Sequence, residues 1–270
     1  MVRKITTFFL AATLFVACSK NAVTGRSQFK FLPESELQSM AKQEYQSFLS
    51  TNKTVSPSND RDAEMVRRVG QRLSNAVETY YKQQGLSDAL AGYQWEYNLV
   101  ANKEANAWCM PGGKIVVYSG LLPITQNEAG LAVVIGHEIS HAIFQHGNER
   151  MSQGLAQQLG GVALSVAVSS QPAATQNLFM QAYGIGSQVG LLLPFSRKHE
   201  LEADRYGLRW AAMAGYNPQE AIALWQRMEK MSNGNNPPEF LSTHPSEGTR
   251  IDQLRKYMPE AMKYYKPMGK

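Results

Sequence analysis

GLAVVIGHEISHAIFQHGNER, residues 130–150, sets three histidines and two glutamates against an apolar helical run. Positions four apart on an α-helix lie about 40° apart around the axis and one turn apart along it. His137 and His141 therefore face the same way, and two neutral imidazoles so placed can hold one Zn²⁺. Glu138 would flank such an ion without having to bind it. It could take a proton from a water there, the general-base arrangement of a metallohydrolase. The alternative is a pair of core histidines beside a surface glutamate. Ala132, Val133, Val134 and Ile135 make the preceding turn apolar, so the helix is expected to be buried. Burying Glu138 with two histidines and no partner is costly, and the pattern therefore favours a metal.

A catalytic zinc usually takes a third protein ligand and keeps one position open. His146 lies five residues after His141, about 140° away around a continuous helix, and is rejected on that ground. It is read as a capping or packing residue where HGNER signals termination. SRKHELEADRYG, residues 196–207, offers a better source. Glu200 and Asp204 are four apart and share a face, whereas Glu202 points roughly away from Glu200. One carboxylate can bind the metal while the other reaches the free nitrogen of a ligand histidine. His199 is a weaker rival, and a solvated charged face is the other reading of this segment.

Composition bounds the rest. The chain has 270 residues, 43% hydrophobic and 18% charged, which suits a folded core and leans away from disorder. No Lys/Arg block is dense enough to argue for nucleic acid. MVRK followed by ITTFFLAATLFVA, then Cys18, has the layout of an export signal, too short to span a bilayer comfortably. Cys18 directly after FVA resembles a bacterial lipobox, so residue 18 is expected to carry lipid, and Ser19 after it favours the outer membrane. Loss of Arg3 and Lys4 with the signal leaves 25 basic and 22 acidic side chains, net +3. The other cysteine, Cys109, is then expected to be free and buried.

Along the chain, FLPESELQSMAKQEYQSFLS and RDAEMVRRVGQRLSNAVETYYKQQG read as amphipathic helices, the second stopped at Gly85. YQWEYNLV alternates as a strand, and KIVVYSGLL is a second β-branched run. Thr125 with Glu128 reads as a capping box opening the helix of the first motif. Stretches near 155–168 and 178–194 read as core helices, and the last third is helical. No repeat of solenoid length is present. The expected class is α+β and mainly helical, with a small sheet. Residues 1–17 are the signal, 18–35 a lipid-anchored tether and 36–268 the domain.

HEISHAIFQHGNER followed by ELEAD, with NAWCMPGGKIVVYSGLL before and STHPSEGTRI after, resembles the gluzincins of metallopeptidase family 48, the group that includes the CAAX prenyl proteases. The resemblance runs from about residue 22 to 258. It implies a zincin-like metalloprotease domain with one Zn²⁺ per chain, held by His137, His141 and Glu200. Glu138 is then the base and Asp204 stands behind a ligand histidine. His244 lies near the metal, as an extra ligand of a latent state or as a transition-state donor. The stretch before the active helix is implied to be a sheet edge, so an extended substrate would lie along Ile115, Val116, Val117 and Tyr118. The chain lacks a clear pair of transmembrane helices and has too little sequence after the motifs for a tetratricopeptide array. The nearest type is thus a compact, lipid-anchored, periplasm-facing member acting on unfolded or misassembled envelope proteins. A lipoprotein holdase with a latent or structural zinc is the competing reading, and an intact Glu138 argues against it.

Overall fold

The segment expected to be a tether is folded. In a computed structural model describing residues 18–159, 172–183, 196–232, 240–244 and 249–267, β1 (Cys18–Lys20) pairs antiparallel with β2 (Ser27–Phe29). This hairpin docks because its polar side chains find buried acceptors. Arg26 binds Glu149 and Glu202, and the buried Gln28 donates to Phe144 O and Glu149 Oε1. Phe31 N–H reaches Ser152 Oγ at 2.8 Å, and Asn148 Nδ2 reaches Leu32 O at 2.9 Å. The domain therefore begins before residue 36. Residues 1–17, expected to be an export signal, lie outside the described residues.

Helices α1 (Glu34–Thr51) and α2 (Arg61–Gln83) follow as their periodicity predicts. Asp60 caps α2 by accepting from Ala63 N–H, and Gly85, at φ 68°, turns the chain out of it. The main sheet contains β3 (Thr54–Val55), β4 (Glu96–Val100), β5 (Ala107–Met110) and β6 (Lys114–Tyr118), in the order β3-β4-β6-β5. β4 and β6 run parallel, with Tyr97 opposite Ile115; β5 is antiparallel to β6, with Cys109 opposite Ile115.

This order corrects the expected edge. Ile115, Val116, Val117 and Tyr118 lie in an interior strand, paired on both sides, and among the described residues the strand at that end of the sheet is β5. The physical reason is legible in KIVVY, since a strand covered on both faces reads as a continuous apolar run. All five of its residues are buried. One face of the sheet (Leu99, Ala107, Cys109, Ile115, Val117) joins the larger core with α2. The other (Val100, Trp108, Met110, Val116, Tyr118) joins Leu37, Ala41 and Tyr45 of α1. Cys109 is free and buried, as expected.

After the sheet, a short α3 (Leu122–Thr125) precedes α4 (Glu128–Ile143). The cap of α4 is Asn127, whose Oδ1 accepts from Gly130 N–H at 2.8 Å, rather than Thr125. Gln126, at φ 64°, breaks the chain between the two helices and leaves Thr125 on the wrong side of the break. A second left-handed residue, Gln145 at φ 57°, separates α4 from α5 (His146–Leu159). Helices α6 (Pro172–Ala182), α7 (Arg197–Met213), α8 (Glu220–Ser232), α9 (Phe240–Thr243) and α10 (Arg250–Met262) complete the described chain. The apolar stretches near 155–168 and 178–194 are described only where they close α5 and α6; residues 160–171 and 184–195 lie outside. No described helix is long and apolar enough to cross a membrane.

Helix α4 is buried along almost its whole length because α7 crosses it closely. A Cβ on Gly136 would lie 2.9 Å from Gly207 O, and one on Gly207 would lie 2.9 Å from His137 N. Trp210 Nε1 donates to Ser140 Oγ at 3.0 Å just beyond the crossing. This contact brings the two sequence motifs together.

Candidate metal centre

His137 and His141 leave α4 on one face, and Glu200 enters from the first turn of α7. His244, just after α9, completes the group, and its backbone N–H bonds to Phe240 O at 3.0 Å. One ligand atom from each of the four residues lies within 4.8 Å of the others, and all four side chains are buried. His137 Nε2 is 2.9 Å from His141 Nε2 and 3.2 Å from His244 Nδ1. Glu200 Oε1 is 3.0 Å from His244 Nδ1 and 3.3 Å from His141 Nε2. Ligands about 2.0–2.1 Å from a tetrahedral ion stand roughly 3.4 Å from one another, so these separations suit a zinc-sized ion.

Proton counting supports the same fit. His137 Nδ1 faces Asp204 Oδ1 at 3.0 Å, so a neutral ring donates there and keeps a lone pair on Nε2. That lone pair points at two further ring nitrogens and a carboxylate. A bound cation would accept all of these converging lone pairs at once. The donors, N and O from His, His, Glu and His, are those zinc accepts. Asp204 stands outside the four-residue group, against the far nitrogen of His137.

The electrostatics keep these groups in ligand form. Burial lowers His141 well below the usual histidine range, and it carries His244 down to about 4 despite the opposing pull of Glu200. Burial would raise Glu200, but His244, Arg250 and His137 together hold it well below the usual carboxylate range. Glu138, on the same helix turn, is raised by burial and then by the charge of Glu200. Its Oε1 stands 3.4 Å from His244 Nε2. The site thus places a buried carboxyl beside the donor set without adding it to the set.

Several residues at the site were not foreseen. Arg250 contacts Glu200 Oε2 and Asp204 Oδ1, each at 2.8 Å, and lies 3.6 Å over the Trp225 ring. A signal existed, since two buried carboxylates with only neutral histidines call for a cation. His146 is not a ligand, but it is not merely a helix terminator either. Its Nδ1 is 3.0 Å from His141 Nδ1 and its Nε2 is 2.7 Å from Glu202 Oε2. The angle of a continuous helix does not apply, because α4 ends at Ile143 and the chain turns at Gln145. His199 is no rival ligand; it stacks on His146 with ring centroids 4.4 Å apart. The segment after His244, residues 245–248, lies outside the described residues.

A mainly helical fold around a small sheet, with two histidines of one helix and a glutamate of the next on one point, defines a zincin-like metalloprotease domain. The chain belongs to peptidase family M48, whose profile it matches over residues 64–258. It is 36% identical over 197 residues to the mitochondrial metalloendopeptidase OMA1 of Saccharomyces cerevisiae, covering 70% of this chain and 54% of that protein. The metalloendopeptidase OMA1 of Homo sapiens is 29% identical over 256 residues, covering 92% of this chain and 47% of that one. The beta-barrel assembly-enhancing protease of Escherichia coli is 29% identical over 171 residues, covering 60% and 34%. The chain spans about half the length, or less, of these relatives.

Proposed function

We propose that the chain is a zinc-dependent endopeptidase acting on unfolded or misassembled polypeptides at the bacterial cell envelope, anchored by lipid on Cys18. The observation that carries the catalytic reading is the convergence of His137, His141, Glu200 and His244 with Glu138 beside them and outside the donor set. When bound, zinc supplies Lewis acidity that polarises the scissile carbonyl and acidifies a water. Glu138 takes the water proton and returns it to the leaving amine. Asp204 holds the proton of His137 on Nδ1, and Arg250 holds Glu200 Oε2, leaving Oε1 to face the nitrogens.

An extended substrate fits the outer strand β5 rather than β6. Asn106 O accepts from Tyr118 N–H, and strand alternation then turns the main-chain groups of Ala107 and Cys109 away from β6. Ala107 N–H is met by Asn106 Oδ1 at 2.8 Å. β5 packs against α4, the helix that carries Glu138. Main-chain pairing of this kind selects exposed extended backbone over folded proteins. The export layout of the N-terminus, and a bacterial relative named for enhancing β-barrel assembly, support the envelope setting.

His244 Nδ1 fills the fourth corner of the donor set, which supports its role as an extra ligand of a latent state. The test is zinc analysis of the purified chain with casein digestion, beside Glu138→Gln. Full zinc content in both proteins with a loss of about 10²-fold or more in proteolysis by the variant is expected. Equal digestion by both would sink the mechanism. Zinc retained with no digestion under any condition would return the holdase reading. His244→Ala is expected to raise basal digestion if the latent reading holds, and a decrease would assign His244 to the transition state instead.

A further inference from the structure

Behind His141 lies a second set of buried polar groups, partly outside the matched family profile, that bears on how the ring is held. Glu202 Oε2 accepts from Arg26 Nε at 2.9 Å and stands 2.7 Å from His146 Nε2. A carboxylate oxygen held by a guanidinium can only accept. His146 Nε2 must then carry a proton. A neutral imidazole has one ring proton, so with that proton on Nε2 its Nδ1 is an acceptor. The neighbour of that Nδ1, 3.0 Å away, is His141 Nδ1. The donor across this contact is therefore His141, and its Nε2 keeps the lone pair that faces His137 and Glu200.

We propose that Glu202 and His146, oriented by Arg26 of the N-terminal hairpin, are positioning residues that fix the proton of His141 on Nδ1 and so present Nε2 to the metal. The inference rests on the zinc reading above. Asp204 does the same for His137 through a carboxylate directly; for His141 the carboxylate acts through an intervening imidazole. His199 holds the plane of that imidazole by stacking at an interplanar angle of 14°, and its Nε2 lies 3.4 Å from Glu149 Oε1. Glu149 is in turn bound by Arg26 and Gln28. The hairpin of residues 18–29 is thus part of the support of the metal site, although its nearest ligand, His141, is more than a hundred positions away in sequence.

The test uses the full chain labelled with ¹⁵N-histidine, zinc-loaded and after chelation. Two readouts are taken: the protonated nitrogen of His141, from long-range ¹H–¹⁵N correlations, and the rate of zinc release to a chromophoric chelator. In the chelated wild type, His141 is expected to carry its proton on Nδ1. His146→Leu is expected to release the proton to Nε2 and to speed zinc loss by about 10–100-fold. His146→Gln should stay near wild type, because its carbonyl can accept from Nδ1–H while its amide donates to Glu202. Arg26→Gln should lie between. A proton on His141 Nε2 in the chelated wild type, or equal zinc release from the leucine, glutamine and wild-type proteins, would overturn the proposal. If the leucine variant does not fold, the wild-type spectrum alone decides. A wild type that binds no zinc would overturn the metal reading instead, and the proton position would still report on the hydrogen-bond chain.

Discussion

Two clusters of histidine and glutamate lie side by side in this protein, joined by the contact between His141 and His146. In one, His137, His141, Glu200 and His244 aim ring nitrogens and a carboxylate oxygen at a common point. In the other, His146, His199, Glu149 and Glu202 are threaded on Arg26, and each carboxylate meets a guanidinium and a ring nitrogen. The residue types are nearly the same. The difference is whether the protein places its own cation at the centre. In the first cluster Arg250 stands at the rim, on Glu200 Oε2 and Asp204, and leaves the converging donors room for an external ion. A metal site is thus defined less by the ligand types than by where the chain withholds positive charge.

The sharpest way to break this contrast is to remove the rim cation. Arg250→Met leaves Glu200 and Asp204 buried beside neutral histidines and is expected to cost about 3–5 kcal/mol. Urea unfolding of the chelated protein measures the cost. The loss should shrink in the zinc-loaded protein, where the ion replaces part of the missing charge. An equal loss in both states would mean that Arg250 acts by packing on Trp225 alone.

The second cluster makes a prediction in pH. Burial would raise Glu149, but Arg26 and His199 outweigh it and hold the carboxyl at about 2. A carboxyl depressed in the folded state contributes stability above its unfolded value, about 4.5, and that contribution is lost as pH falls through about 2. The shift corresponds to roughly 3 kcal/mol. Melting temperature should fall across that window in the wild type, and Arg26→Gln should flatten the dependence while lowering stability at neutral pH.

Glu34, in the first turn of α1, supplies a smaller contrast, a largely buried carboxyl that no guanidinium among the described residues holds. Burial raises it to about 7, against the pull of Lys30 and Gln38. The sign is reversed: the folded state is favoured below the unfolded value near 4.5, and that advantage disappears as pH rises through 7. Glu34→Gln is expected to stabilise the protein at pH 8 by about 1–2 kcal/mol and to do little at pH 5. No gain at pH 8 would mean that Lys30 compensates the charge.

The first cluster was far more legible in the sequence than the second. His137 and His141 announce themselves through helical spacing, and Glu200 and Asp204 through a shared face; the family resemblance then chose between the two carboxylates. The second cluster joins residues 123 and 176 positions apart, and no local period reports such pairs. His146 turns back toward His141 because α4 ends at Ile143 and the chain reverses at Gln145, which helical spacing does not report. The strand order failed for a related reason: pairing partners are a tertiary fact, although the unbroken apolar run of β6 did signal an interior strand. The docking of Arg26 was invisible because a lone arginine in a polar segment looks the same whether solvated or buried against two glutamates.

The close crossing of α4 and α7 has a consequence for ion choice. Gly136 adjoins His137, and Gly207 lies about two turns beyond Glu200 on its helix. Two residues without side chains therefore act as the gauge block between a nitrogen ligand and an oxygen ligand. Spreading the axes there by a few tenths of an ångström would leave the core able to close around the change, but it would widen the aperture of the donor set by a comparable amount. Ions differ in bond length by about that margin, roughly 2.0–2.1 Å for zinc against 2.3–2.6 Å for calcium. A metal held here would feel that margin, and it is set at a point where no ligand atom is present.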